Sequence, residues 1–301
     1  MSLNIRPIPT ASGSRLAQVA SDIWTIEGEG CVCYRPPIQP SYPYTFRTVV
    51  VRLDDGSLFV VSPVQITPEI QADVDQLGVV RHLVSPNNIH HLYLGNWHQI
   101  YPDARVYASP RLVDKRKDLN FYKVLSTDTP EPEWAGQIEQ CLFGSGSGFI
   151  DELVFFHRKS RTVIFTDLIM DFDPEVLSPF SRTTAHWNQM YKHTPRGVQL
   201  AHMFDRPYLW KALETVRGWQ AEHAIIAHSP WLCVDGQEEV SDLLESAFDW
   251  LQPRSALTEN IAGISKLSIL LAILPIHAFL VLTADIIYPK LGGKRDCIYP
   301  S

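Results

Sequence analysis

Residues 79–95, with the sequence VVRHLVSPNNIHHLYLG, combine an apolar run with a pair of adjacent histidines. The run at 79–84 is apolar enough to predict a buried strand. His90 and His91 follow in a loop whose Pro, Asn and Gly residues let the backbone bend. Strand ends that carry imidazoles are a common way to build a metal site in a protein. The stretch therefore predicts a metal site at the end of a strand.

Two later strands end in residues of the same chemical type. Residues 161–168 (RTVIFTDL) form a β-branched and aromatic run that ends near Asp167, and residues 224–230 (AIIAHSP) form an apolar run that ends at His228. We expect these side chains to converge with the histidine pair. The predicted ligands are His90, His91, Asp167 and His228, whose nitrogen and oxygen atoms suit zinc, iron or manganese.

This arrangement resembles the metallo-β-lactamase fold, whose pattern is a strand followed by T-H-x-H-x-D-H-x-G, a glycine-rich loop with a histidine, a strand ending in G-D and a strand ending in histidine. The loop at 143–148 (FGSGSG) lacks the expected histidine. On the rest of the pattern, Ser85 takes the threonine position, Pro86 and Asn88 the first two histidines, His90 the aspartate, His91 the third histidine, Asp167 the bridging aspartate and His228 the last histidine.

The substitutions fall in one of the two metal sites that this fold can build. Ligands unique to the first site are missing here, whereas each position of the second holds a residue able to bind metal. The resemblance therefore implies at most one divalent transition metal, with zinc expected first and iron or manganese as alternatives. It also implies an α/β fold, a four-layer αββα sandwich.

A closer resemblance covers about residues 23–251. The motif Pro86-Asn87-x-x-His90-His91, the stretch 152–162 and the pair Asp167-Leu168 resemble a divergent branch of that fold known only as a domain of unknown function, family 4336. A family without an assigned activity implies a fold more directly than a reaction.

The resemblance leads us to expect a hydrolase-like metalloenzyme that acts on an unknown small molecule, because a bound metal can lower the pKa of water to about 7. A lyase, isomerase or oxidoreductase using the same metal stays open, as does a non-catalytic scaffold held at a membrane. Two further residues are catalytic candidates. Glu152 could be a substituted metal ligand, a general base or an exposed carboxylate. His157 could donate a hydrogen bond to the site, or lie at the surface or pack in a turn.

Composition limits the classes of partner and the compartment. The chain has 301 residues, of which 45% are hydrophobic and 20% charged, which is enough for a sizeable core. A net charge of -7 argues against nucleic-acid binding, since such proteins usually present a basic face. The odd number of cysteines, 5, favours a reducing compartment, so we expect a cytoplasmic protein.

The C-terminal part differs from the rest of the chain. We expect residues 1–254 to form the metallo-β-lactamase-like domain and residues 255–301 to form a hydrophobic helical tail. Residues 267–282 are apolar on all sides, and with 283–288 they reach the ~20 residues needed to span a bilayer. Residues 264–288 could therefore attach the protein to a membrane. A helix buried on the sandwich or in a homo-oligomer interface would have the same composition.

The order of the predicted elements also indicates an α/β layer protein, because strands alternate with helices. Strands are predicted at 23–26, 47–53, 58–61, 79–84, 105–108, 153–157, 162–166 and 224–228, and helices at 67–77, 97–101, 206–219 and 240–251.

Overall fold

The computed structural model describes residues 16–28, 32–34, 42–144 and 150–252. The predicted C-terminal helix, the proposed boundary at residue 254 and most of the glycine-rich loop lie outside these ranges. Within the described part of the chain, no helix is both long enough and apolar enough to cross a membrane.

Strands and helices alternate along the described chain, as the sequence predicts. The strands are β1 (Leu16–Ala20), β2 (Ile23–Glu27), β3 (Val32–Tyr34), β4 (Tyr42–Tyr44), β5 (Arg47–Arg52), β6 (Ser57–Val61), β7 (Val79–Ser85), β8 (Arg105–Ala108), β9 (Lys123–Val124), β10 (Ile138–Phe143), β11 (Glu152–His157), β12 (Thr162–Asp171), β13 (Tyr191–His193), β14 (His223–His228) and β15 (Val234–Asp235). The helices are α1 (Pro68–Leu77), α2 (Leu94–Ile100), α3 (Leu112–Lys115), α4 (Pro179–Trp187), α5 (Arg196–Ala201), α6 (Arg206–Gly218) and α7 (Gln237–Ala247), and 3₁₀ turns lie at Pro174–Val176 and Asp249–Leu251.

Two large mixed sheets organise the residues that the structure describes. The first has the strand order β1-β2-β5-β6-β7-β8-β9, antiparallel up to β6 and parallel from β6 onward. The second has the order β10-β11-β12-β14-β15, with β13 also paired to β12, and its β12 and β14 are parallel. Strands β3 and β4 form a separate ribbon.

Three apolar clusters show how the layers are stacked. One lies between the two sheets and joins Val49 and Phe59 of the first to Phe155 and Ile225 of the second. A second cluster packs the outer face of the first sheet against α1 and α2. The third packs the outer face of the second sheet against α6 and α7. The order of layers is thus helices, sheet, sheet and helices.

Local signals in the sequence explain most element boundaries. Thr67 caps α1 by accepting a hydrogen bond from the Ile70 backbone at 3.3 Å, and Pro68 occupies the first turn. Helix α7 begins at Gln237, three residues before its predicted start. Its first turn holds Glu238 and Glu239, whose negative charges favour a helix N-terminus. The prediction missed this turn because it started the helix at the first apolar residue, Val240.

Parallel pairing brings the strand ends together. Because β6 and β7 run parallel, as do β12 and β14, the carboxyl ends of the strands in each pair lie side by side. Arg47 of the first sheet bonds to backbone carbonyls near the end of β14 in the second. The residues that follow these strands therefore meet at one edge of the sandwich.

Candidate metal centre

His90, Asp167 and His228 come together at this edge of the sandwich. His90 lies in the loop after β7, Asp167 within β12 and His228 at the last position of β14. All three are buried, with exposed fractions of 3–5%. Each of these described residues offers one atom that can bind a metal, and the three atoms all lie within 4.8 Å of one another.

The distances within this triad suit a single tetrahedral ion. The His90 and His228 Nε2 atoms are 3.1 Å apart, His228 Nε2 is 3.1 Å from Asp167 Oδ1, and His90 Nε2 is 3.3 Å from Asp167 Oδ2. Ligand atoms 2.0–2.1 Å from a tetrahedral zinc ion are about 3.3 Å from each other. Two imidazoles and a carboxylate are also a donor set that zinc and iron accept. The residues present therefore fit one metal ion.

The orientation of His228 is set by its neighbours. Its Nδ1 donates to the Thr45 carbonyl at 2.6 Å, which leaves Nε2 of the neutral ring as the acceptor nitrogen. Tyr44 contacts the ring edge to face, with the centroids 5.2 Å apart. A backbone carbonyl on the second nitrogen is the usual arrangement behind a metal-ligating histidine.

His90 is held in an equivalent way by a serine. The Ser62 hydroxyl lies 2.6 Å from His90 Nδ1. Ser62 follows β6 and has a positive φ of 56°, a conformation that residues other than glycine adopt infrequently. The end of β6 is thus bent in a way that brings the hydroxyl to the ring.

The carboxylate of Asp167 is kept charged by its partners. Burial would raise its pKa, but the charge of His90 and hydrogen bonds to His228 and His90 hold that pKa well below its usual range. The Asn87 amide donates to Asp167 Oδ2 at 2.7 Å. Asp167 is therefore ionised as a metal ligand must be.

Glu152 lies next to the triad and is fully buried. Its oxygens accept hydrogen bonds from the backbone N–H groups of Thr166, Asp167 and Leu168, at 2.7, 2.7 and 3.1 Å. Burial, followed by the charge of Asp167, raises its pKa. The alternative that Glu152 is a solvent-exposed carboxylate is therefore wrong. The role of general base stays a prediction that these contacts do not favour, because both oxygens are engaged.

His91 is buried beside His90 but faces another group. Arg116 donates to His91 Nδ1 at 3.1 Å and to the His91 carbonyl at 2.8 Å. Burial, then the charges of Lys115 and Arg116, lower the pKa of His91 to about 4. The structure thus brings three of the four predicted ligands together and leaves His91 outside the triad.

His157 lies far from the triad. It ends β11, whose first residue is Glu152, so the two are five residues, or about 17 Å, apart along an extended strand. Its Nδ1 contacts the Ser160 hydroxyl at 2.7 Å in the turn before β12. His157 thus packs in a turn, which was one of the alternatives considered for it, and the structure does not place it in the site.

Three residues that contact the triad were not predicted from the sequence to belong to the site: Asn87, Ser62 and Thr45. The sequence could have indicated a role for Asn87 in the loop, because asparagine side chains in turns often accept hydrogen bonds from backbone N–H groups two or three residues further along. Its Oδ1 does so from the N–H groups of Ile89 and His90. Ser62 contacts His90 from the end of the neighbouring strand, and Thr45 contacts His228 of the other sheet; no local sequence pattern indicates either contact.

Solved structures show which class of protein has this architecture. VMB-1 is similar with a TM-score of 0.52 and 11% identity, over 79% of this chain and 98% of that one. A metallo-β-lactamase from Erythrobacter litoralis gives a TM-score of 0.51 and 12% identity over 80% and 99%. Rubredoxin oxygen:oxidoreductase from Desulfovibrio gigas gives 0.53 and 11% over 78% and 61%. The chain has an α/β fold of the metallo-β-lactamase type, with a buried His/Asp/His triad.

The family model is more specific than the fold. The model described as "Domain of unknown function (DUF4336)" matches residues 22–220, and the chain belongs to this family. The search of curated proteins found no match to this chain.

Proposed function

We propose that the protein is a metalloenzyme in which His90, Asp167 and His228 hold one divalent transition metal, and that it hydrolyses a small molecule. The convergence of three buried ligand atoms within 4.8 Å is the observation that carries this proposal. Zinc is the first candidate for the metal, with iron and manganese as alternatives.

The chain's own residues would orient and isolate the reaction centre. Thr45 and Ser62 fix the two imidazole rings, so that Nε2 of each ring points at the same place. Asn87 and Glu152 hold Asp167 and its backbone. A metal bound there would supply Lewis acidity and lower the pKa of a water ligand to about 7.

Redox chemistry at the same triad is the second candidate. One similar structure is an oxygen:oxidoreductase, so the fold supports oxidation as well as hydrolysis. Two histidines and a carboxylate also occur together in non-haem iron sites. Identification of the bound metal separates the two proposals, since zinc has no redox chemistry.

The test is metal analysis coupled to an activity screen. The full chain, purified without added metal, would be analysed by mass spectrometry and assayed on esters, thioesters and lactams. We expect close to one metal per chain, and hydrolysis of one substrate class that the Asp167→Asn variant lacks. A folded chain that stays metal-free after incubation with zinc, iron and manganese would favour a non-catalytic scaffold instead.

A further inference from the structure

We propose that Asn87 is the positioning residue of this site: its single buried amide holds both the loop that carries His90 and the carboxylate of Asp167 in their metal-binding arrangement. The inference rests on the proposed function and adds to it the residue that sets the geometry of the triad. Asn87 is completely buried and lies three residues before His90.

The oxygen of the amide organises the histidine loop. Asn87 Oδ1 accepts hydrogen bonds from the backbone N–H groups of Ile89 at 2.9 Å and His90 at 2.8 Å. The Ser85 hydroxyl lies close to the carbonyls of Asn87 and His90, at 2.9 and 2.8 Å, and closes the same turn. The position of the His90 backbone therefore depends on a side chain that accepts two N–H groups at once.

The nitrogen of the amide holds the other ligand. Asn87 Nδ2 donates to Asp167 Oδ2 at 2.7 Å and to the Thr166 hydroxyl at 3.1 Å. An amide nitrogen carries two hydrogens, so both bonds can form together. Because Oδ2 is engaged in this way, the orientation of the carboxylate that faces His228 through Oδ1 is fixed.

The surroundings explain why a neutral amide is suited to this position. Glu152 and Asp167 are buried carboxyl groups, and the Asn87 nitrogen lies 3.4 Å from Glu152 Oε2 as well. A donor between two acidic groups offsets their repulsion. The backbone also joins these residues, because Asn87 and Glu152 form an isolated bridge and Leu153 N donates to the Pro86 carbonyl at 2.8 Å.

Two substitutions separate the two roles of the amide. Asn87→Asp keeps an oxygen for the Ile89 and His90 N–H groups but replaces the donor with a charge that repels Asp167. Asn87→Ala removes both functions. Asn96→Asp is the matched control, because it makes the same amide-to-carboxylate change at an exposed position on α2, outside the contacts to the triad.

The experiment is titration of the full chain with cobalt(II), which reports affinity and, through its visible absorption, ligand geometry. We expect both Asn87 variants to bind cobalt at least ~10-fold more weakly than wild type with an altered spectrum, as is usual when a group supporting a ligand is lost. Asn96→Asp should retain the wild-type affinity and spectrum. Wild-type cobalt binding by both Asn87 variants would overturn the proposal. Tighter binding by Asn87→Asp would overturn it too, since aspartate would then act as a ligand.

A second measurement needs no variant and covers the case in which the substitutions prevent folding. Zinc added to the wild-type chain should shift the side-chain NH₂ resonances of Asn87 in an NMR spectrum. Those of Asn96, which is exposed on α2, should not move. Unchanged Asn87 signals in a chain that binds zinc would count against the inference alone. Failure of the wild-type chain to bind either metal would instead refute the proposed function and the inference with it.

Discussion

At the scale of single residues, His82 is a neutral histidine in the core between the sheets. It is 5% exposed, and its ring lies 5.3 Å from that of Trp134 and 5.8 Å from that of Tyr107. Burial lowers its pKa to about 4. Between pH 6.5 and 4 the unfolded chain therefore binds a proton that the folded chain does not.

This difference predicts a pH dependence of stability. The contribution of His82 to the free energy of unfolding should fall by about 1–2 kcal/mol as the pH is lowered from 7 to 4. His82→Phe keeps an aromatic ring in place and should lose less stability over that range. The check is urea unfolding of both proteins at several pH values. Equal losses in the two would contradict this interpretation of His82.

A second prediction at this scale compares His91 with two members of the triad. Asp167→Ala and His228→Ala should each release the metal and leave the sandwich folded, because each removes one atom group of the triad. His91→Ala should retain the metal, since the His91 ring faces Arg116. Metal content and circular dichroism of the three variants provide the test. Loss of metal in His91→Ala, or its retention in the other two, would refute the three-residue site.

The sequence predicted the three members of the triad because each ends or follows a strongly apolar run, although strand β12 itself continues past Asp167 to Asp171. It could not separate His90 from His91, since adjacent residues in a loop point in directions that only the packed neighbours determine. The positions of His157 and Glu152 relative to the site could not be predicted either, for the same reason. A polar residue close to the motif was a reason to propose a catalytic role for Glu152. Its actual role, accepting hydrogen bonds from the β12 backbone, depends on the pairing of two strands, which the local sequence does not indicate.

At the scale of elements, Arg47 ties the first sheet to the end of β14. Its side chain is fully buried, pairs with Glu27 and donates to the carbonyls of Ile226 at 2.8 Å, Ser229 at 3.0 Å and Trp231 at 2.7 Å. These carbonyls flank His228. A guanidinium can satisfy this many acceptors, whereas an ammonium group cannot reach them in the same plane.

Loss of this link should be costly. Arg47→Met leaves Glu27 buried without its charge partner and should lower the free energy of unfolding by about 3–5 kcal/mol. Arg52→Met is the matched control, because Arg52 is 41% exposed and pairs with Asp22 at 2.6 Å. It should cost less than about 1 kcal/mol. Denaturant unfolding of both variants tests this, and similar losses would contradict the role given to Arg47.

The elements themselves were predicted well where periodicity and caps agree. The strands at β2, β5, β7 and β8 and the helix α1 match within one or two residues. Helix α2 begins at Leu94 instead of residue 97, and no side chain caps it, so the sequence held no start signal. Strand β12 continues to Asp171 because β13 pairs with its end, a contact between segments that are 20 residues apart.

At the scale of the whole molecule, the described chain holds two packed sheets with helices on both outer faces. Helices α1 and α2 cover the first sheet, and α6 and α7 cover the second. We expect truncation after Arg254 to leave a soluble, folded protein that keeps its metal site. Thermal unfolding and a membrane pelleting assay of both lengths are the measurements. Aggregation of the shortened chain would show that residues 267–282 cover an apolar surface of the body.

The function proposed above requires that one metal ion bind to His90, Asp167 and His228. The most direct test is anomalous diffraction at the zinc absorption edge from crystals of the full chain grown with zinc. We expect one peak about 2.0–2.1 Å from Nε2 of each histidine and at a similar distance from the Asp167 carboxylate. Two peaks roughly 3.5–4 Å apart, as in two-metal sites, or no peak at the triad, would contradict it.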